Sequence, residues 1–234
     1  TMQEWRTTLQ AQGFYIGDTL ELVDNTDIFD QYISEIDRRL YRSDDHRYRN
    51  SIRNKPQLPM TIPYTEIEAR QALIRENNWE IFQQWHEIHI ADTYFRSITE
   101  KFITAAYPQT IEHIDDLIYK DSFTLYENND FICLHEDGDN PGRLCVLLIY
   151  LNTTNTLNTG GELLIQDKMG RIHTVSAHRN NFAVLDFTRH NLSHAVAVVK
   201  NNYRRYAYIC FVHDPTELSK PVNKLRQRLK TVNG

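Results

Sequence analysis

The chain has 234 residues, of which 41% are hydrophobic and 24% charged, with a formal net charge of −5. That is enough for one substantial core in an ordinary water-soluble globular protein. It excludes a membrane helix, for which no apolar run of about 18 residues exists, and gives no basic footprint for a nucleic-acid backbone. Cys133, Cys145 and Cys210 are odd in number and lack CxxC spacing, and the N-terminus lacks the charged-then-apolar layout of a signal peptide. The expectation is therefore a cytoplasmic protein with reduced thiols, in which the sequons at Asn152 and Asn191 carry little weight.

From Asp27 to Leu40, Ile28, Phe29, Tyr32, Ile33, Ile36 and Leu40 recur at helical spacing. The stretch that follows is arginine-rich and broken by Pro56, Pro59 and Pro63, and reads as a long loop, a candidate lid or a solvated excursion. "TEIE" at Thr65 has the form of a capping box closed by Glu68. From there to about Ala106 the residues predict one or two helices, with Ile74, Trp79, Phe82, Trp85, Ile88 and Phe95 facing a core. His86 and His89 fall here and read as structural or surface groups.

After Pro108 the pattern turns to short β-like runs: Ser122–Tyr126, Phe131–His135, Leu144–Leu151, Gly161–Ile165, Phe182–Phe187, His194–Val199 and Arg205–Val212. Five of the eight glycines lie between Gly138 and Gly170, where hairpin turns need them. These strands behind a helical half predict an antiparallel sandwich or barrel with helices packed on one face. The basic C-terminal "KPVNKLRQRLKTVNG" reads as a solvated terminal helix.

One junction stands out. In "HEDGD", His135 and Asp137 are two residues apart at a strand end, share a face and leave Glu136 turned outward. An imidazole and a carboxylate on one face supply two of the three ligands of a facial metal triad. The second histidine has candidates in His173, His178, His190, His194 and His213. His194 begins the strand "HAVAVV" on its apolar face, whereas His190 lies in the preceding turn and reads as surface. Further on, "YRRYAYICF" puts two arginines at the start of a hydrophobic strand, where a charge is costly without a partner. A guanidinium there could hold an acidic cosubstrate through a bidentate fork. Arg205 shares parity with Ala207, Ile209 and Phe211, and Arg204 with Tyr206 and Tyr208.

The succession "LYENNDFICLHEDGD", "RLCVLLIYLN", "GGELLI", "NNFAVLDF" and "SHAVAVVKNNYRRYAYICFV" resembles the iron(II)- and 2-oxoglutarate-dependent dioxygenases, within them the prolyl-4-hydroxylase-like branch. The resemblance spans about Ser122 to His213. It implies an α+β chain with a double-stranded β-helix (jelly-roll) core and N-terminal helices packed on one face. The 234 residues then form a single dioxygenase domain, about 1–120 being a helical N-terminal portion, about 121–214 the core and 215–234 a C-terminal helix or tail.

It also implies His135, Asp137 and His194 as iron ligands and Arg205 as the residue gripping the distal carboxylate of 2-oxoglutarate. Arg204 stays in play, because the glycine of the family's G-x-R-Y pattern is absent. Tyr126 either hydrogen-bonds the cosubstrate or packs, and "GGEL" reads as a turn and strand start. The implied cofactors are Fe(II), 2-oxoglutarate and O2, with ascorbate as a reductant. The implied reaction is hydroxylation of an unactivated C–H bond, with release of succinate and CO2, on a prolyl or other amino-acid side chain, free or in a peptide. Another small metabolite is the alternative substrate. A carboxylate at Asp137 speaks for hydroxylation over halogenation. Phe211, six residues beyond Arg205, speaks against a nucleic-acid demethylase. A zinc-dependent hydrolase and a non-catalytic jelly-roll binding module are the readings from other classes.

Overall fold

The computed structural model describes residues 2–40, 46–51, 81–137, 142–153 and 159–218. In chain order these form α1 (Met2–Gln12), β1 (Phe14–Asp18), α2 (Phe29–Leu40), β2 (His46–Ser51), β3 (Ile81–Ile88) and α3 (Tyr94–Ala106). Strands β4 (Ile118–Tyr126), β5 (Phe131–His135), β6 (Arg143–Tyr150), β7 (Leu163–Gln166), β8 (Ile172–Val175), β9 (Asn181–Asp186), β10 (His194–Val196) and β11 (Arg205–His213) follow, then α4 (Pro215–Leu218).

All strand pairs are antiparallel, in the order β1-β9-β6-β11-β4-β3-β5-β10-β7-β8, with β2 paired to β3. The ribbon folds on itself. Val146, Leu148 and Tyr150 of β6, Leu185 of β9 and Ala207 of β11 pack against Leu163 and Ile165 of β7 and Val175 of β8 in one buried cluster. Two facing layers with a shared apolar interior are the jelly roll expected from the sequence.

The opposite face of the first layer carries the helices. Trp5 and Leu9 of α1, Phe29 and Ile36 of α2, and Phe95, Ile98 and Phe102 of α3 pack on Phe123, Leu147, Ile149, Tyr206 and Tyr208. The period of two in β11 thus divides its residues. Tyr206, Tyr208 and Cys210 face the helices, while Ala207, Ile209 and Phe211 pack into the jelly roll. Asp92 opens α3 by accepting the Phe95 amide at 2.8 Å, and it also accepts the Tyr32 hydroxyl of α2. One carboxylate so caps one helix and ties a second to it.

Two expectations for the N-terminal half are corrected. Residues 81–88, for which the sequence predicts helix, form β3, which joins the layers by pairing with β4 through His86, Glu87 and Ile88 and with β5 through Gln83 and Gln84. "IFQQWHEI" has no decisive period, so unpaired backbone on both neighbours outweighs local propensity. His46–Ser51, expected within a loop, is a strand along β3, and its polar sequence conceals it. Helix α1 and strands β1 and β8 have no counterpart among the expected elements. The capping box at Thr65, the rest of the proline-rich loop and the basic C-terminal segment lie outside the described residues.

The turn "GGEL" does more than begin a strand. Gly160 has φ +68°, and a Cβ there would lie 1.8 Å from the Val198 carbonyl oxygen. Gly161 has φ +79°, and its amide donates to Ala197 O at 3.2 Å, prolonging the β7–β10 pairing past the end of β10. Gly160→Ala is expected to cost at least about 2 kcal/mol, from left-handed strain plus the clash, which is a fall of roughly 4–8 °C in Tm for a chain of this size. A thermal melt followed by circular dichroism measures it.

Candidate metal centre and cosubstrate pocket

His135 closes β5 and His194 opens β10, and the two are direct cross-strand partners; His194 also pairs with Ile165 on β7. Residues opposite one another share a face, and Ile165 belongs to the interior cluster. Register therefore turns both imidazoles into the jelly roll, with ring centroids 4.2 Å apart. Asp137, two residues beyond His135, brings its carboxylate to them: Oδ2 lies 3.4 Å from His194 Nε2 and Oδ1 3.8 Å from His135 Nε2. One ligand atom from each residue falls within a 4.8 Å group.

Burial pushes the Asp137 carboxyl towards its protonated form, but His194, His135 and Arg143 outweigh it and hold the group well below the usual carboxylate range. His194 Nδ1 lies 3.2 Å from the Leu192 carbonyl, which can accept its proton when Nε2 is given to a metal ion. Glu136 points to solvent as expected and accepts from Asn191 Nδ2 at 2.7 Å, which clasps the segment ahead of His194 to the strand bearing His135. Two imidazoles and a carboxylate converging on one point are the donor set of a facial triad, with the remaining positions of an octahedral ion left open.

The other histidines are not brought to this cluster. His173 lies 2.9 Å from Asp167 Oδ2 in a surface turn, and His178 Nε2 lies 3.0 Å from the Thr153 carbonyl. His190, read as surface, is a correction: it is buried, with Nε2 3.1 Å from the Gln10 carbonyl, because α1 folds over the turn. His86 is buried beside Glu127, at 3.1 Å, and His89 is exposed.

His213, buried at the end of β11, is pushed down from 6.5 to about 4, by burial first and then by the Arg143 and Lys120 charges. Between those values the unfolded chain binds the proton that the folded chain refuses. Stability at this residue is thus complete above pH 6.5 and declines as pH falls towards 4. His213→Gln is expected to flatten that part of the Tm–pH curve, as melts across the range would register.

The two arginines separate completely. Arg204 stays on the helical side, 3.0 Å from Asp37 Oδ1 on α2 and 3.3 Å from Glu127 Oε1. Arg205 is 1% exposed, and its Nε donates to the Gly161 carbonyl at 2.7 Å. Its guanidinium is sandwiched between the Tyr126 ring, at 4.6 Å, and the Tyr150 ring, at 5.1 Å. Tyr126 is the register partner of Arg205 on β4 and stacks on Trp85 of β3 at 5.7 Å.

Two polar atoms in this pocket are buried without a hydrogen-bond partner among the described residues: Arg205 NH2 and the Tyr150 hydroxyl. A buried guanidinium with an idle donor is expensive, and a carboxylate end-on to it removes that cost. The pocket therefore fits a dicarboxylate.

Sequence reasoning missed three contributors. Tyr150 supplies the second ring and the orphaned hydroxyl. Gly161 lets its carbonyl reach Arg205, since a side chain there would sit 3.0 Å from Arg205 Cδ. Asn152, noted only as a sequon, is buried; its side chain donates to Arg204 O at 2.6 Å and accepts from Tyr206 N at 2.9 Å, fixing the backbone on either side of Arg205. The polar "YLN" that ends an apolar strand was the available signal for Tyr150 and Asn152.

Comparison with known proteins agrees with this geometry. Residues 121–213 match the family model of the 2OG-Fe(II) oxygenase superfamily. Over that segment the chain is similar to the 2OG-Fe(II) oxygenases, a family whose cofactors are Fe(II), 2-oxoglutarate and O2, and the His135, Asp137 and His194 cluster lies within it. No curated protein matches the chain closely enough in sequence to count as a relative.

Among solved structures, a Pseudomonas putida prolyl-4-hydroxylase is similar at 16% identity and TM-score 0.62, covering 91% of this chain and 99% of that one. A Trichoplax adhaerens prolyl hydroxylase, solved with a hypoxia inducible factor peptide fragment, is 16% identical with TM-score 0.60, covering 94% and 92%. The non-heme alpha ketoglutarate dependent epimerase SnoN from nogalamycin biosynthesis is 12% identical with TM-score 0.53, covering 91% and 83%. These likenesses establish the double-stranded β-helix fold. Among the described residues no helix is long and apolar enough to cross a membrane.

Proposed function

We propose that this chain is one dioxygenase domain, and that it hydroxylates a prolyl or other amino-acid side chain, free or in a peptide, with release of succinate and CO2. The observation that carries this reading is the pairing, inside one jelly roll, of a His135–Asp137–His194 cluster with a buried Arg205 whose NH2 has no partner among the described residues. A hydrolytic zinc site needs the first feature and has no use for the second. Fe(II) bound by the three side chains supplies the redox chemistry with O2 and 2-oxoglutarate.

The protein's own residues do the rest. Arg205 anchors the far carboxylate of 2-oxoglutarate through a charge-assisted fork, with the Tyr150 hydroxyl as a second donor. Tyr126 and Tyr150 hold the guanidinium plane in register and keep water from it. His194 gives Nε2 to the metal while the Leu192 carbonyl accepts its Nδ1 proton. The prolyl preference draws support from the branch resemblance and from the two prolyl hydroxylase structures of like fold.

The test incubates purified protein with Fe(II), ascorbate, 2-oxoglutarate and a panel of prolyl peptides and amino acids. Succinate should form in step with a product heavier by one oxygen atom. Succinate with an unchanged product mass moves the assignment to an epimerase-type outcome on the same fold. No consumption of 2-oxoglutarate across the panel counts against the oxygenase reading.

A further inference from the structure

We propose that Arg143 is a positioning residue of the metal centre, holding Asp137 by two oxygens so that a single carboxylate oxygen faces the ion. The inference rests on the metal-site reading above and adds to it a residue that no part of that reading requires.

Arg143 begins β6, six positions after Asp137 in the chain. Its NH1 donates to the Asp137 main-chain carbonyl at 3.0 Å and forms an ion pair with Asp137 Oδ1 at 3.3 Å. The first contact fixes the backbone where the chain leaves β5. The second engages one carboxylate oxygen, and His194 Nε2 lies against the other, Oδ2. The guanidinium is itself immobilised, its carbon 4.3 Å from the centre of the Phe211 ring and 5.8 Å from that of Phe187. Phe211 belongs to the same face of β11 as Arg205. That strand thus supports the cosubstrate pocket at one end and, through Phe211 and Arg143, the carboxylate ligand nearer the other.

The chemical consequence concerns ligand count. A carboxylate free to rotate can bind an ion through both oxygens and occupy a position that a cosubstrate needs. Oδ1 lies nearer to the Arg143 guanidinium, at 3.3 Å, than to His135 Nε2, at 3.8 Å, so its engagement leaves Oδ2 as the oxygen for the ion and three positions of an octahedral ion open.

Metal-free wild-type protein and the variants Arg143→Gln, Arg143→Lys and His135→Ala are titrated with Mn(II), the free ion being read by electron paramagnetic resonance. Arg143→Gln is expected to bind Mn(II) about 10- to 100-fold more weakly, the usual cost of losing a partner behind a metal ligand. In the Co(II)-loaded form its d–d absorption should shift as the carboxylate becomes bidentate. Arg143→Lys, which cannot span both oxygens in the same way, should fall between wild type and Arg143→Gln. Wild-type affinity in Arg143→Gln, with binding lost in His135→Ala, overturns the proposal and leaves the metal centre standing. Wild-type affinity in both overturns the centre and the proposal with it. Should Arg143→Gln fail to fold, Arg143→Lys decides: wild-type affinity there overturns the two-point hold.

Discussion

Asp137→Ala is expected to abolish succinate formation and to weaken Fe(II) or Mn(II) binding by at least about 100-fold, beyond what removal of a mere outer partner costs. The reasoning is electrostatic. Asp137 is the one anion of the cluster, set between His135 and His194 and paired with Arg143. Removing it leaves two imidazoles beside a guanidinium, with no anion in the cluster to offset the charge of a dication. The carboxyl is held ionised well below its usual range, so the anion is present throughout the working pH span. Ion titration and a succinate assay read the two effects separately. Retention of full affinity and turnover by this variant sinks the triad assignment.

Arg205→Ala is expected to raise the KM for 2-oxoglutarate by about 10²- to several 10³-fold, the equivalent of breaking a buried ion pair at roughly 3–5 kcal/mol. Metal affinity should hardly change, because Arg205 takes its partners from Gly161, Tyr126 and Tyr150 and not from the cluster residues. Arg205→Met carries the more telling contrast. It fills the space without a charge, so the cosubstrate-free protein should melt no lower than wild type while losing cosubstrate binding. Arg204→Ala is the control. Its pairs with Asp37 and Glu127 are a third exposed and worth under about 1 kcal/mol, and the KM should stay within about twofold. A large KM effect at Arg204 and none at Arg205 reverses the assignment of the pocket.

The jelly-roll half is legible in the sequence because its strands are short, apolar and punctuated. Phe131–His135 has the bounds expected of it, and Arg205–Val212 falls one residue short of the observed strand. Parity in β11 separates the two arginines without saying which turns inward; the structure places Arg205 with the interior residues and Arg204 on the helical side. The N-terminal half is less legible. Strand β3 takes its state from β4 and β5, not from its own residues, and a polar strand such as β2 has no hydrophobic alternation to betray it. His190 reads as surface because nothing near it in sequence announces that Gln10 lies above it.

The sequence by itself determined which candidate ligand types stand at strand ends, their spacing and the parity that sets the two arginines on opposite faces, since all three follow from a two-residue repeat and the chemistry of the side chains. Only the tertiary structure decided what surrounds them. The Gly161 carbonyl and the Tyr150 ring reach Arg205 from segments dozens of residues away, and Arg143 and His194 reach Asp137 across strands. Such contacts depend on register between distant strands. Register is fixed by how two whole sheets close on a common core, which no local pattern encodes.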